Sequence, residues 1–249
     1  MIILSSPAKT QDFSTEWNSV VQTEPEFLAE AAKVVLVLKD MSKVELAKVM
    51  QVSPKLAELN FERYRNWSKA EHKKNGKPAI LAYRGDIFKQ MYPDKYTEKQ
   101  QLYAQRTVRF LTGLYGMLRA YDLMLPYRLE MKATVPVGKF KDLNQLWAGK
   151  LTASLNRDLA AEKNPLLVDA ASGEYSKPID FGALEGPWVR VEFREKDLRN
   201  VGILSKKARG MLLEYCIVNQ VQTVEELKKF NMGGYKFLRE AKHEVMFAR

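Results

Sequence analysis

The sequence predicts a single compact domain of the α/β or α+β class, with helices surrounding a mixed β-sheet. Short β-branched apolar runs, typical of buried strands, alternate along the chain with segments that begin at helix-capping residues. Hydrophobic residues make up 46% of the sequence, an ordinary value for a protein that buries a core. No linker-like stretch divides the chain, so we expect one domain over residues 1–249.

In the first half, strand and helix signals follow each other closely. Residues 1–5 predict a buried strand, and residues 79–83 predict a second one. The polar, basic stretch 68–77 predicts a mobile loop. Helices are predicted to start at capping residues and to cover Thr23 to Leu38, Ser42 to Met50, Ser53 to Trp67, and Thr97 to Phe110.

The second half continues the alternation. Predicted strands cover 135–139, 166–170, 188–193, 201–204 and 243–247. Predicted helices run from Asp142 to about Ala161, from Ser205 to about Asn219, and from Thr223 to about Phe230. This interleaving is what assigns the chain to the α/β or α+β class.

Charge is strongly positive and unevenly distributed. The formal net charge is +10 and the pI is about 9.5. Residues 61–120 hold thirteen Lys or Arg against five Asp or Glu. Such a basic sector favours an anionic partner, namely double-stranded DNA or a nucleotide. A solvated basic surface that only aids solubility explains it equally well.

Cysteine and histidine are scarce. Cys216 is the only cysteine, so an intramolecular disulfide and a Cys-based metal cluster are excluded. His72 and His243 lack metal-ligand spacing, and we expect no metal site and no cofactor. No apolar run has the length of a membrane span, and the first residues do not resemble a signal peptide. We therefore expect a cytoplasmic protein without a membrane partner; the oligomeric state is open, with a monomer favoured.

Polar residues follow three predicted buried strands. Lys9 lies in the SPAKT segment after the first strand, where a cation and backbone N–H groups can meet a phosphate. Arg84 and Asp86 follow the second strand, and Glu174 follows the strand 166–170. Asp86 and Glu174 are candidate catalytic acid–base groups, with Lys9 as a cationic neighbour. The alternative is ordinary strand-exit loops with solvated side chains.

Three cations are predicted close to the start of the helix at Ser205. Lys206, Lys207 and Arg209 would lie in its first two turns. Cations there oppose the helix dipole, whereas a bound phosphate would make the arrangement favourable. Nearby Asp or Glu side chains that neutralise the cations are the competing explanation.

The stretch 110–131 is unusually rich in special residues. Gly113 and Gly116 suit a tight turn or a close backbone approach. Arg119 and Arg128 supply cations that could contact phosphate. Alternatively, the stretch is an internal hairpin whose arginines pair with the acidic residues Asp122 and Glu130.

This stretch resembles the YaaA family of peroxide-stress proteins. Collinear matches include residues 6–10 (SPAKT), 113–131, 206–210 (KKARG) and 230–235. The resemblance implies a cytoplasmic bacterial protein of the hydrogen-peroxide response, associated with low free intracellular iron. It also implies DNA binding, a single-domain fold with a basic cleft, and a helix-hairpin-helix-like element, for which residues 111–118 are the nearest equivalent.

Three functional hypotheses follow. The protein binds DNA and limits oxidative, iron-dependent damage; or it is an enzyme acting on a nucleotide or nucleobase; or it handles iron. The first two use the same cleft and predict that the chain near Ser6, Arg84 and Ser172 opens on one side of the sheet. The sequence leaves open whether any reaction is catalysed.

Overall fold

The computed structural model describes residues 1–249 and contains eleven β-strands. Seven of them form one mixed sheet, and four form two small ribbons. In chain order the strands are β1 (Ile2–Ser5), β2 (Thr10–Gln11), β3 (Lys77–Pro78), β4 (Tyr83–Arg84), β5 (Val108–Thr112), β6 (Gly116–Arg119), β7 (Leu123–Met124), β8 (Leu167–Asp169), β9 (Trp188–Arg194), β10 (Lys236–Ala241) and β11 (Glu244–Ala248).

Eleven helices surround the sheet and the ribbons. They are α1 (Leu28–Asp40), α2 (Lys43–Met50), α3 (Pro54–Asn66), α4 (Lys69–Asn75), α5 (Ala79–Ala82), α6 (Glu98–Thr107), α7 (Leu143–Trp147), α8 (Lys150–Ala160), α9 (Gly173–Ser176), α10 (Gly202–Asn219) and α11 (Val224–Leu227). The predicted mixed sheet with surrounding helices is confirmed. One contiguous cluster of buried apolar side chains extends from Met1 to Phe247, which makes the chain one α/β domain.

The large sheet has the strand order β10-β11-β9-β8-β1-β5-β6. The five central strands are mutually parallel, while β6 and β10 run antiparallel at the two edges. The chain leaves β1 towards β5 on one side, whereas β8 lies on the other side of β1 and leads to β9. The β1–β8 boundary is therefore a topological switch point, where α/β sheets form ligand crevices beyond the carboxyl ends of the strands.

Local capping signals placed several helices correctly. The reciprocal capping boxes at Ser42, Thr97 and Thr223 are all present, and α2, α6 and α11 start directly after them. In each case the hydroxyl accepts a backbone N–H three residues on, which satisfies a donor that the helix itself leaves free. The helix predicted from Ser53 is also confirmed as α3.

The helix predicted from Thr23 starts later, at Leu28. Thr23 does not cap this helix. Its hydroxyl donates to the Asp122 carboxylate (2.5 Å), and its backbone N–H donates to the carbonyl oxygen of Tyr121 (3.2 Å). A long-range contact thus replaces the local cap. The helix predicted from Asp142 is similarly divided into α7 and α8 around Gly149, which has a φ of 73°.

Two predictions in the region 68–83 are wrong. The stretch 68–77 contains helix α4, with Ser68 as its cap and His72 fully buried. Residues 79–83 contain the buried helix α5 and only the first residue of β4, so the predicted strand is absent. A short apolar run fits a buried helix turn as well as a strand, and tertiary contacts decide between them.

The prediction of a strand at 201–204 and a helix cap at Ser205 is also wrong. Helix α10 already begins at Gly202, and the Ser205 hydroxyl donates to Asn200 within this first turn (2.8 Å). Lys206, Lys207 and Arg209 therefore follow the first turn. The dipole argument for a phosphate at these residues loses its basis, because the field of the helix end falls off within one turn.

Candidate functional site

A polar cavity lies beyond the carboxyl ends of β1 and β8, and we refer to it as the strand-end cavity. Its volume is about 370 Å³. Four chain regions line it: residues 6–10, residues 84–88, the group Ser172, Glu174 and Tyr175, and the pair Lys206 and Arg209 on α10. The predicted convergence of the chain near Ser6, Arg84 and Ser172 on one side is confirmed by this shared lining.

Two serines hold the exits of β1 and β8 together. The Ser6 hydroxyl donates to the Ser172 hydroxyl (3.2 Å) and accepts the backbone N–H of Ser172 (2.9 Å). Because β1 and β8 are adjacent and parallel, their exits reach the same edge of the sheet. Glu174 and Tyr175, two and three residues beyond Ser172, are thereby placed in the cavity wall.

The β2–β4 ribbon brings Arg84 to the cavity. Thr10 pairs with Arg84 in this ribbon, and the Arg84 guanidinium is anchored by Asp12 (3.2 Å) and by the carbonyl of Leu81 (2.9 Å). Gly85 follows with a φ of 138°, a conformation that side chains rarely adopt. The half-buried Asp86 is the next residue and also lines the cavity.

Helix α10 closes the cavity on the side of Arg84. A Cβ at Gly210 would lie 2.0 Å from the carbonyl oxygen of Ile87, so only glycine allows this approach. The close contact places Lys206 and Arg209 beside residues 84–88. Gly210 in the KKARG segment therefore has a packing role that supports the cavity.

Two polar atoms of the cavity-lining residues are buried without a hydrogen-bond partner, Oε1 of Glu174 and Nε of Arg209. Burial lowers the pKa of Arg209, an effect that Glu192 and Asp169 partly offset. Most buried polar groups in proteins are paired, and leaving one unpaired costs about 1–3 kcal/mol. Both atoms are inaccessible to solvent, so their missing hydrogen bonds are a cost to the folded protein.

Asp169 supports this side of the cavity and was not identified from the sequence. It is the last residue of β8 and is fully buried, and its carboxylate accepts the Arg190 Nε–H and the Ala171 N–H (both 3.0 Å). Burial raises its pKa, although Arg190, Ala171 and Arg209 act in the opposite direction. The sequence signal that could have identified Asp169 was an acidic residue near the end of an apolar predicted strand.

Lys9 and Arg128 lie around a buried acid next to the cavity. Glu130 contacts Lys9 (2.6 Å), Arg128 (3.4 Å) and Lys132 (3.4 Å). Burial tends to raise the pKa of Glu130, but Lys9 and Lys132 outweigh it and the net shift is downward. Arg128 lines a smaller neighbouring cavity, which shares residues 7–9 and Tyr175 with the first. The pairing of Arg128 with Glu130 matches the hairpin interpretation of the sequence.

Two candidate phosphate-binding residues lie elsewhere. Arg119 is not in the cavity lining, and its guanidinium lies 3.8 Å from Asp158 on α8. Lys207 is exposed on α10 and does not line the cavity either, although its neighbour Lys206 does. The structure thus groups Lys9, Arg84, Lys206 and Arg209 with Asp86 and Glu174, and separates them from Arg119 and Lys207.

The helix-hairpin-helix-like element expected at residues 111–118 is absent. This stretch is the turn of an antiparallel β-hairpin formed by β5 and β6, with Thr112 opposite Gly116. Its glycines serve close packing, because a Cβ at Gly113 would lie 2.7 Å from the Leu129 carbonyl oxygen and one at Gly116 would lie 2.6 Å from the Trp147 ring.

No group of three or more His, Cys, Asp or Glu side chains is arranged to hold a metal ion. None of the helices has the combination of length and apolar character that crossing a membrane requires.

The fold and the cavity define an α/β protein with a polar cavity of mixed charge at the switch point of a largely parallel sheet. The chain belongs to the family described as peroxide stress protein YaaA, whose model matches residues 1–241.

Curated relatives are similar over nearly their whole length. A UPF0246 protein of Polynucleobacter asymbioticus is 40% identical, over 95% of this chain and 93% of its own. One from Clostridium beijerinckii is 38% identical, over 98% and 95% respectively. One from Aliivibrio fischeri is 37% identical, over 96% and 93%.

Proposed function

We propose that this protein is a cytoplasmic DNA-binding protein of the peroxide-stress response that helps to limit oxidative, iron-dependent damage. The family description supports the link to peroxide stress. The observation that carries DNA binding is the convergence of Lys9, Arg84, Lys206 and Arg209 on one cavity from three separate regions of the chain. These residues would form the centre of a basic cleft, and the protein would act as a monomer.

Phosphate contacts would supply most of the affinity. Lys206 is exposed and near the cavity mouth, and the overall charge of +10 attracts a polyanion at long range. Each phosphate that a lysine or arginine neutralises releases condensed counterions from DNA. Binding should therefore depend little on sequence and fall steeply as salt rises.

The test is a titration of a fluorescent duplex with the full-length protein at several KCl concentrations. Lys206→Ala should weaken binding and lower the slope of log K against log salt by about one unit, the expected loss for one phosphate contact. Lys48→Ala removes an equally exposed lysine from α2 and is the matched control. Weak binding of the parent protein without salt dependence would refute the proposal.

An enzyme acting on a nucleotide or nucleobase in the same cavity is the second candidate. It is favoured by the presence of Asp86 and Glu174 beside the four cations. Asp86→Asn removes an anion from the cavity, so DNA binding should be retained or strengthened. If protection depends on chemistry at Asp86, this variant should fail to protect cells from peroxide, whereas full protection would reject a catalytic role for Asp86. No observation favours the iron-handling hypothesis.

A further inference from the structure

We propose that a second cavity, between α6, α10 and the turn at residues 92–96, binds a free aliphatic amino acid as its zwitterion. We refer to it as the Glu214 cavity, and its volume is about 220 Å³. This volume is below the range of about 300–1,000 Å³ that is usual for larger ligands, so it suits a small molecule. The cavity shares no lining residue with the strand-end cavity, and the inference is independent of DNA binding. Its lining residues are Tyr92, Lys95, Tyr96, Gln100, Glu214 and Val218.

Glu214 provides an anion that no cation of the protein pairs. This residue of α10 is only 8% exposed. Its Oε2 accepts hydrogen bonds from the Tyr92 N–H (3.1 Å) and the Tyr96 hydroxyl (2.5 Å). Its Oε1 has no hydrogen-bond partner in the protein but, unlike Oε1 of Glu174, it retains accessible surface. Because a nearly buried carboxylate is costly unless it is paired, this reachable oxygen favours a cationic group in the cavity.

Lys95 provides a cation on another wall of the same cavity. Its ammonium group lies 5.4 Å from the centre of the Tyr92 ring and forms no ion pair with Glu214 or any other acid. Gln100 adds a donor beside it, because its Oε1 accepts the Thr97 N–H (2.9 Å) whereas its Nε2 is unpaired. A carboxylate is the group that fits these donors. The cavity therefore holds one anion and one cation apart, and a zwitterion can bridge them.

Apolar surface on the remaining walls determines the class of side chain. Val218 follows Glu214 by one turn of α10 and is 45% exposed. The rings of Tyr92 and Tyr96 also line the cavity. An aliphatic side chain would remove this apolar surface from water, which is favourable, whereas a charged side chain would gain nothing there. Leucine combines the ammonium, the carboxylate and the aliphatic side chain that these walls require.

Calorimetric titration of the full-length protein with three related ligands tests the assignment. Leucine has both charges, leucine methyl ester lacks the carboxylate, and isocaproate lacks the ammonium group. Leucine should bind at least about tenfold more tightly than either analogue, because each analogue loses one charge-assisted hydrogen bond. Binding of either analogue as tight as that of leucine, or no binding of leucine, would overturn the proposal.

Lys95→Met tests the carboxylate contact at an exposed residue, where the substitution should not affect folding. Leucine binding should weaken by about tenfold, while binding of leucine methyl ester should stay the same because the ester has no carboxylate. Lys99→Met, at an exposed lysine of α6 outside the cavity, is the matched control and should change neither affinity. Equal leucine binding by the two variants would show that Lys95 does not hold the ligand and would refute the zwitterion site.

Glu214→Gln tests the ammonium contact. Leucine binding should weaken by about tenfold, whereas isocaproate should bind as well as before or better because an anion has been removed. Unchanged leucine binding by the folded variant would contradict the proposal. Since Glu214 is nearly buried and hydrogen-bonded, this variant might lose its fold; the comparison of Lys95→Met with Lys99→Met then decides the question alone.

Discussion

The β5–β6 hairpin and the strand-end cavity are built from similar polar and aromatic residues but differ in how their polar atoms are paired. In the hairpin, the Tyr115 hydroxyl lies within hydrogen-bond distance of Trp67 Nε1 (3.2 Å), His72 Nε2 (3.0 Å) and the Leu125 N–H (3.1 Å). In the cavity, Glu174 and Arg209 each keep a buried polar atom without a partner. The Tyr115 hydroxyl in the hairpin is thus paired on all sides, whereas the residues that line the cavity include two buried atoms without a partner.

His72 illustrates the pairing around the Tyr115 hydroxyl. Its Nδ1 lies 2.8 Å from the Ser68 carbonyl oxygen, which can only accept, so Nδ1 carries the proton. Nε2 then accepts a hydrogen bond from the Tyr115 hydroxyl, and burial lowers the pKa of His72, which favours this neutral form. The pairing of His72 with Ser68 and Tyr115 fixes the packing of α4 against the hairpin.

The largest expected effect is on the hairpin, from Gly116→Ala. Gly116 has a φ of 68°, and a Cβ there would meet the Trp147 ring at 2.6 Å. Left-handed strain and overpacking together should lower the free energy of unfolding by about 2–5 kcal/mol. Gly138→Ala is the control, since its φ is 57° but no atom lies within 4 Å. Equal losses in urea denaturation would show that crowding against Trp147 contributes nothing.

Asp122, just beyond the hairpin, should make stability depend on pH. Burial raises its pKa from 3.8 to about 6, against the opposing hydrogen bonds from Thr23 and the Arg119 N–H. Between these two values the folded state binds more protons than the unfolded state, so stability is lost as pH rises from about 4 to 6. At about 1.4 kcal/mol for each unit of pKa, the loss is about 3 kcal/mol.

Asp122→Asn should remove this contribution. Between pH 4 and pH 7, the free energy of unfolding of the variant should fall by about 3 kcal/mol less than that of the parent protein. Asp94→Asn, at an exposed aspartate, should leave the pH dependence unchanged. An identical pH profile for Asp122→Asn and the parent would show that Asp122 titrates normally in the folded state.

Tyr115→Phe should have a smaller effect on the hairpin. It leaves the buried donors of Trp67 and Leu125 and the acceptor of His72 without their shared partner. A loss of about 2 kcal/mol is expected from unsatisfied buried groups. Tyr92→Phe, at a tyrosine that is 56% exposed, should change the free energy of unfolding by less than about 0.5 kcal/mol. Similar values for the two variants would mean that water replaces the lost hydroxyl.

The smallest effect is expected in the cavity. Glu174→Gln should stay within about 0.5 kcal/mol of the parent protein, because the buried Oε1 has no hydrogen bond to lose. Preserved stability would confirm the contrast with the hairpin. A loss comparable to that of Tyr115→Phe in urea denaturation would show that Glu174 is a structural residue.

Features that depend only on neighbouring residues could be predicted from the sequence. The capping boxes at Ser42, Thr97 and Thr223 located three helix starts, because each box closes within four residues. The apolar run at the start of the chain located β1. The polar residues after β1 and β8 correctly indicated where the cavity would form, since these parallel strands end at a common edge.

Features that depend on distant partners could not be predicted from the sequence. Thr23 bonds to Asp122 instead of capping a helix, and the apolar run at 79–82 became a helix turn through contacts with residues 120 and 122. The sequence alone could not separate Arg119, near Asp158 on α8, from Arg128, beside the smaller cavity, because their surroundings depend on residues far along the chain. The unpaired atoms of Glu174 and Arg209 likewise became identifiable only after every other partner had been placed.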